Sequence, residues 1–129
     1  MKGPIQNHLM SVFIHVTDIQ RSSQWYNELL SVAPGGPLTH EGTIYDVPMG
    51  REHSPFLTLD ANITLNQPDG RHPQLMFETT DIQAAHDFLM ARNIERIGAI
   101  EDIGSMYILA FKDPDGNVLL VGQKKDERE

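Results

Sequence analysis

Thr17-Asp18-Ile19-Gln20 returns unchanged as Thr80-Asp81-Ile82-Gln83, 63 positions later in a chain of 129 residues. Nearly half the chain separates the copies, which points to one structural module built twice. The flanks agree with that reading. An apolar, β-rich run, His8 to Val16, precedes the first copy, and a shorter and more polar one, Gln74 to Thr79, precedes the second. After each copy the apolar period lengthens from that of a strand to that of a helix. Ile19, Ser22, Ser23, Tyr26, Leu29 and Leu30 follow helical spacing, and Ile82, Ala85, His86 and Leu89 repeat its first part. Each Asp closes a strand and opens a helix, where its carboxylate accepts from free backbone N–H groups. Trp25-Tyr26 and Phe88-Leu89 place bulky pairs at matching positions. The competing interpretation is two unrelated βα units that share a common N-cap.

Working outward, His8–Thr17 reads as a strand and Asp18–Ser31 as a helix. Pro34-Gly35-Gly36-Pro37 cannot continue that helix. Leu38–His40, Thr43–Val47 and Pro55–Asp60 are short strand candidates, with turns at Glu41-Gly42 and Met49–Ser54. Asn66–Arg71 links the halves. Gln74–Thr79 is then a strand, Asp81–Asn93 a helix, and Ile94–Ile103 and Ser105–Lys112 are strands. Asp113-Pro114-Asp115-Gly116-Asn117 has the composition of a tight hairpin turn into Val118–Gln123. Residues 1–7 and the charged tail Lys124–Glu129 read as loose ends. Each half is βαβββ, so the fold class expected is α+β: two tandem modules whose curved, mixed sheets enclose a cavity. The modules would span about 8–65 and 72–123 of one domain, a size near the usual ~100–150 residues.

Composition narrows the function. A net charge of -8 argues against nucleic acid, which demands basic patches, and is compatible with a cationic ligand. No stretch approaches the ~18 apolar residues of a membrane span, so no membrane association is expected. Met1-Lys2-Gly3-Pro4 leads into no apolar run, and the chain has no cysteine, which together make the cytoplasm the expected compartment. No Gly-rich phosphate loop, nucleophile elbow or His-x-x-x-His pair occurs.

The organisation resembles the vicinal oxygen chelate superfamily of glyoxalases, extradiol dioxygenases and bleomycin-resistance proteins. Three stretches carry the resemblance: Val16–Leu30, Phe77–Ile82, and Lys112–Val121 with its Asp-Pro-Asp-Gly-Asn turn. The glycine usual after the last leucine of the first stretch is Ser31 here. The resemblance implies a divalent metal held by His, Glu or Gln, one from each of four strands. Carried over, those positions are Ser11, Gln74, Leu120 and Thr58, or Leu57 if the register slips by one. Only Gln74 is a plausible ligand, so the resemblance supports the fold and the residues argue against the metal. No metal and no cofactor are expected.

Alternation assigns faces. Val12, Ile14 and Val16 should pack under the first helix, leaving Ser11, Phe13 and His15 on the other side. Leu75 and Phe77 should pack under the second, leaving Gln74, Met76 and Glu78. His15 and Glu78 are the candidate acid–base pair, and the resemblance extends a substrate-facing position to His15. Tyr45 and Tyr107 are expected to line the same space, with Thr58 and Leu120. Met10, Met76 and Met106 suit strand positions as fillers. His8, His40, His53 and His72 are expected exposed, and His86 packed or hydrogen-bonded. The function expected is a small-molecule-binding homodimer. A superfamily lyase, isomerase or dioxygenase with a displaced metal or with His15/Glu78 chemistry is the alternative.

Overall fold

The computed structural model describes residues 3–4, 9–39, 41–50, 55–61 and 73–125. The expected link at 66–71, the histidines His8, His40, His53 and His72, and tail residues 126–129 lie outside them. The chain divides into two compact units, Met1–Leu65 and Asn66–Glu129.

The first unit runs β1 (Ser11–His15), α1 (Ile19–Leu30), β2 (Ile44–Val47) and β3 (Phe56–Asp60). Its sheet has the order β1-β3-β2, with β1 parallel and β2 antiparallel to β3. Of Leu38–His40, expected as a strand, the described residues Leu38 and Thr39 contribute an isolated bridge from Thr39 to Ile44. The Pro-Gly-Gly-Pro run just before it lacks two backbone donors, and proline also restricts the residue that precedes it. The turn expected at Glu41-Gly42 is present, with positive φ at both residues. The second unit runs β4 (Pro73–Glu78), α2 (Ile82–Ala91), β5 (Arg96–Asp102), β6 (Met106–Lys112) and β7 (Val118–Lys124). Its order is β4-β7-β6-β5, with β4 parallel to β7 and the rest antiparallel. The fold is thus α+β and matches the two-module βαβββ plan that the repeat indicates, with sheets of three and four strands and a bridge at Thr39 in the first unit. Among the described residues, no helix is long and apolar enough to cross a membrane.

The repeated Asp performs the same task twice. Asp18 Oδ1 accepts from the Arg21 N–H at 3.1 Å, and Asp81 Oδ1 from the Ala84 N–H at 3.0 Å. Both caps have extended backbone, at φ -137° and -150°. The far end of α1 is less favourable. Ser31 closes it in the left-handed region, φ 57°, with the Ser31 and Val32 N–H groups returned to the Glu28 and Asn27 carbonyls. A side chain at φ > 0 is strained where glycine is not. Ser31→Gly should therefore raise stability by about 0.5–1 kcal/mol, read as a shifted urea midpoint at unchanged slope. An unchanged or lowered midpoint would contradict this account of the cap.

Each helix covers one face of its own sheet. Tyr26 and Ser22 of α1 are fully buried, over Ile14, Val47, Leu57 and Leu59. α2 packs on β6 and β7, with Ile82 and Leu89 of the helix and Leu109, Phe111, Leu119 and Val121 of the strands all buried. Each such apolar side chain contributes about 1.5–3 kcal/mol on burial. The hairpin turn forms around Asp113. Its Oδ1 accepts from the Asp115 and Asn117 N–H groups, each at 2.9 Å, and its Oδ2 from Asn117 Nδ2 at 2.8 Å. Gly116 takes φ 85°. Beyond β7, Lys125 Nζ reaches Asp102 Oδ1 at 2.8 Å, which holds that carboxyl below its usual range.

Candidate functional site

Both sheets present a second face, away from their helix, and the ladders say which residues share it. In the first unit Phe13, Thr58 and Asp46 form one row across β1, β3 and β2. Ser11 and Phe56 stand in the row on one side of it, and His15, Asp60 and Ile44 in the row on the other. The expected face of Ser11, Phe13 and His15 is therefore the one that points away from α1, while Ile14 and Val16 are buried. Thr58 shares the face with Ser11, and Leu57 is buried on the helix side.

Polar groups connect across this face. Ser11 Oγ lies 2.8 Å from Thr58 Oγ1, and Thr58 Oγ1 donates to Asp46 Oδ1 at 2.7 Å. Thr58 is buried and Asp46 exposed. Two aromatic rings flank the chain in the open, Phe13 at 57% and Phe56 at 55% exposure. Asp46 and Asp60, the latter buried opposite His15, share this face and were not among the residues expected on it. The parallel pairing of β1 with β3 carries the signal for Asp60, because Phe56, Thr58 and Asp60 alternate in step with Ser11, Phe13 and His15.

In the second unit Met76 stands opposite Leu120, and Glu78 opposite Gly122, on the face away from α2. Ala110 and Ile108 continue those two rows on β6. A Cβ added at Gly122 would fall 2.7 Å from both Met76 Sδ and Met106 Cε. Glycine thus leaves a pit on β7 over which two thioether side chains from the flanking strands come together, an adaptable apolar surface. Gln74 is exposed at a register shift between Pro73 and Leu75, so it does not extend the ladder of Met76 and Glu78. His15 and Glu78 belong to different units and each is positioned by its own sheet.

Two expected lining residues require correction. Tyr45 lies on the helix side of β2, buried, its hydroxyl donating to Asn27 Oδ1 at 3.0 Å and accepting from the Gly35 N–H at 2.8 Å. Tyr107 pairs with Gln123, whose Oε1 accepts from the Ile82 N–H at the start of α2, so it too lies on the helix side. A tyrosine suits a buried strand face when its hydroxyl finds partners, and Tyr45 has two. His86, expected packed or hydrogen-bonded, accepts at Nε2 from Arg96 Nη1 at 3.2 Å, with Nδ1 3.0 Å from Asp87 Oδ1.

With the geometry in place, relatives can be compared. The model of the Glyoxalase/Bleomycin resistance protein/Dioxygenase superfamily matches residues 5–121. The chain belongs to this superfamily. No curated protein matches it. Among solved structures it is similar to TnmS3, an antibiotic binding protein from Streptomyces sp. CB03234, at TM-score 0.74 and 23% identity over 96% of this chain and 100% of that one. It is similar to UcmS2 at TM-score 0.75 and 16% identity, over 93% and 100% of the two chains. A glyoxalase/dioxygenase from Nostoc punctiforme gives TM-score 0.73 and 13% identity over 98% and 99%. At such identities the likeness concerns the fold.

The superfamily resemblance implies a divalent metal, and the donors here do not fit one. The two hydroxyls at ligand positions, Ser11 and Thr58, are hydrogen-bonded to each other, and Thr58 spends its proton on Asp46. Neutral hydroxyls are poor ligands beside His or carboxylate. Leu120 offers no donor atom. Among the described residues, no three His, Cys, Asp or Glu side chains gather where they could hold a metal ion.

Proposed function

We propose that this superfamily member binds and sequesters a small organic molecule without a metal ion. The observation that carries the reading is the hydrogen-bonded run Ser11–Thr58–Asp46, which occupies two would-be ligand positions and stands between exposed Phe13 and Phe56. A few placed polar groups among apolar side chains are typical of small-molecule sites. Met76 and Met106 over Gly122 give the second sheet an adaptable apolar face, suited to the same kind of ligand. That TnmS3 is an antibiotic binding protein of the same fold supports this direction. The protein would act in the cytoplasm as a homodimer. Exposed Leu9 and Met10 of the first unit, at 64% and 75%, are apolar surface that a second copy would cover.

A thermal-shift screen with a library of polycyclic and aromatic compounds tests the binding reading. A ligand present at about 100 times its Kd adds about 2.7 kcal/mol to the native state, so at least one compound should raise the melting temperature by several degrees. Silence across the library contradicts the proposal. Sedimentation velocity that finds only a 14.5 kDa species contradicts the dimer.

A further inference from the structure

The direction of the hydrogen bonds on the first sheet identifies the chemistry of what it binds. A carboxylate accepts only, and a threonine hydroxyl has one proton to give. Thr58 gives that proton to Asp46 at 2.7 Å. The 2.8 Å contact between the hydroxyls then takes its proton from Ser11. Both hydroxyl protons are spent inside the run. What it presents outward is lone pairs alone, on Ser11 Oγ and on the second oxygen of the exposed Asp46 carboxylate. A ligand that brings only acceptors finds no donor in this run, and an anion would meet a carboxylate that no cation pairs among the described residues.

The neighbours define the rest of the ligand. Phe13 occupies the same row as Thr58 and Asp46, on the opposite edge strand, and Phe56 stands beside Thr58 on the central one. Two strand spacings, roughly 10 Å, separate the β1 and β2 positions. Exposed aromatic rings on the same face as a carboxylate suit a flat apolar body that carries a cation at one end. Net charge of -8 draws such a ligand in. We infer that the first sheet recognises a protonated amine carried on an aromatic or apolar body: the ammonium on Asp46, oriented by Thr58, and the body against Phe13 and Phe56. This rests on the small-molecule reading above and adds the ligand class. Asp46 contacts the ligand, and Thr58 is a positioning residue.

Calorimetric titration with three isosteric probes tests it: phenethylammonium, neutral phenethyl alcohol and anionic hydrocinnamate. Phenethylammonium should bind about tenfold more tightly than the alcohol, and hydrocinnamate most weakly of the three. Asp46→Asn, at an exposed position, should abolish the preference for the amine over the alcohol. Thr58→Val should weaken the amine without changing net charge, and Thr58→Ser should restore it. Equal or tighter binding of the alcohol or of hydrocinnamate overturns the inference, as does a preference that survives Asp46→Asn. Either of those results leaves the small-molecule reading standing. If none of the probes binds, the amine assignment falls, and the broad screen alone then decides whether the protein binds a ligand at all.

Discussion

Phe111→Ala should lower the stability of the folded chain by about 3–5 kcal/mol, while Phe13→Ala should change it by no more than about 0.5 kcal/mol. Both are phenylalanines on strands, and only the face differs. Phe111 lies on the helix side of β6 at 1% exposure, among Leu109, Leu119 and the side chains of α2, and its removal leaves a cavity. Phe13 lies on the helix-free side of β1 at 57% exposure. Domains of this size are stable by about 5–15 kcal/mol, so the first change removes a large fraction and the second almost none. Urea unfolding of both variants reads this directly. Comparable losses would mean that Phe13 is a core residue and that the first sheet has no free face for a ligand.

Asp113→Ala should cost about 3 kcal/mol, the second-largest effect, and Asp113→Asn markedly less. The Asp113 side chain closes the last hairpin by accepting from two backbone N–H groups and from Asn117 Nδ2. Asp113 is only 5% exposed, so alanine strands those donors where water reaches them poorly. Asparagine keeps one carbonyl oxygen for the two backbone donors and loses the charge. Chemical denaturation separates the two variants. A loss for alanine no greater than for asparagine would mean that the turn is held by Gly116 and the strand ladder rather than by the carboxylate.

The residues that were legible in the sequence are those whose signal is local. The Asp caps, both helices, the Asp113–Asn117 turn and the apolar alternation of β1 follow from neighbours a few positions apart. The shared face of Ser11, Phe13 and His15 follows from alternation alone, and Thr58 lies on it because β3 runs in step with β1. Tyr45 and Asp46 are adjacent, so assigning one to a face excludes the other. The aromatic was the natural choice for a binding face, yet the buried hydroxyl partners of Tyr45, Asn27 and Gly35, lie elsewhere in the chain and are invisible to alternation. For Tyr107 alternation is silent, because both faces of β6, Met106, Ile108 and Ala110 on one side and Tyr107, Leu109 and Phe111 on the other, are apolar. Gln74 could not be positioned because one register shift in β4 moves it out of the ladder. The meeting of Met76 and Met106 over Gly122 joins three strands, and no single stretch of sequence contains it.

Of the four positions that the superfamily resemblance implies for a metal, two carry a hydrogen-bonded hydroxyl pair facing a carboxylate, one a leucine, and only Gln74 a plausible ligand. That exchange is the centre of the functional account: recognition of an organic molecule in place of metal-assisted chemistry. It is tested most directly by the metal content of protein purified without chelator and then incubated with manganese, iron, nickel and zinc, measured by plasma mass spectrometry after desalting. The account predicts substoichiometric traces of every divalent metal. Retention of one divalent ion per chain would contradict it.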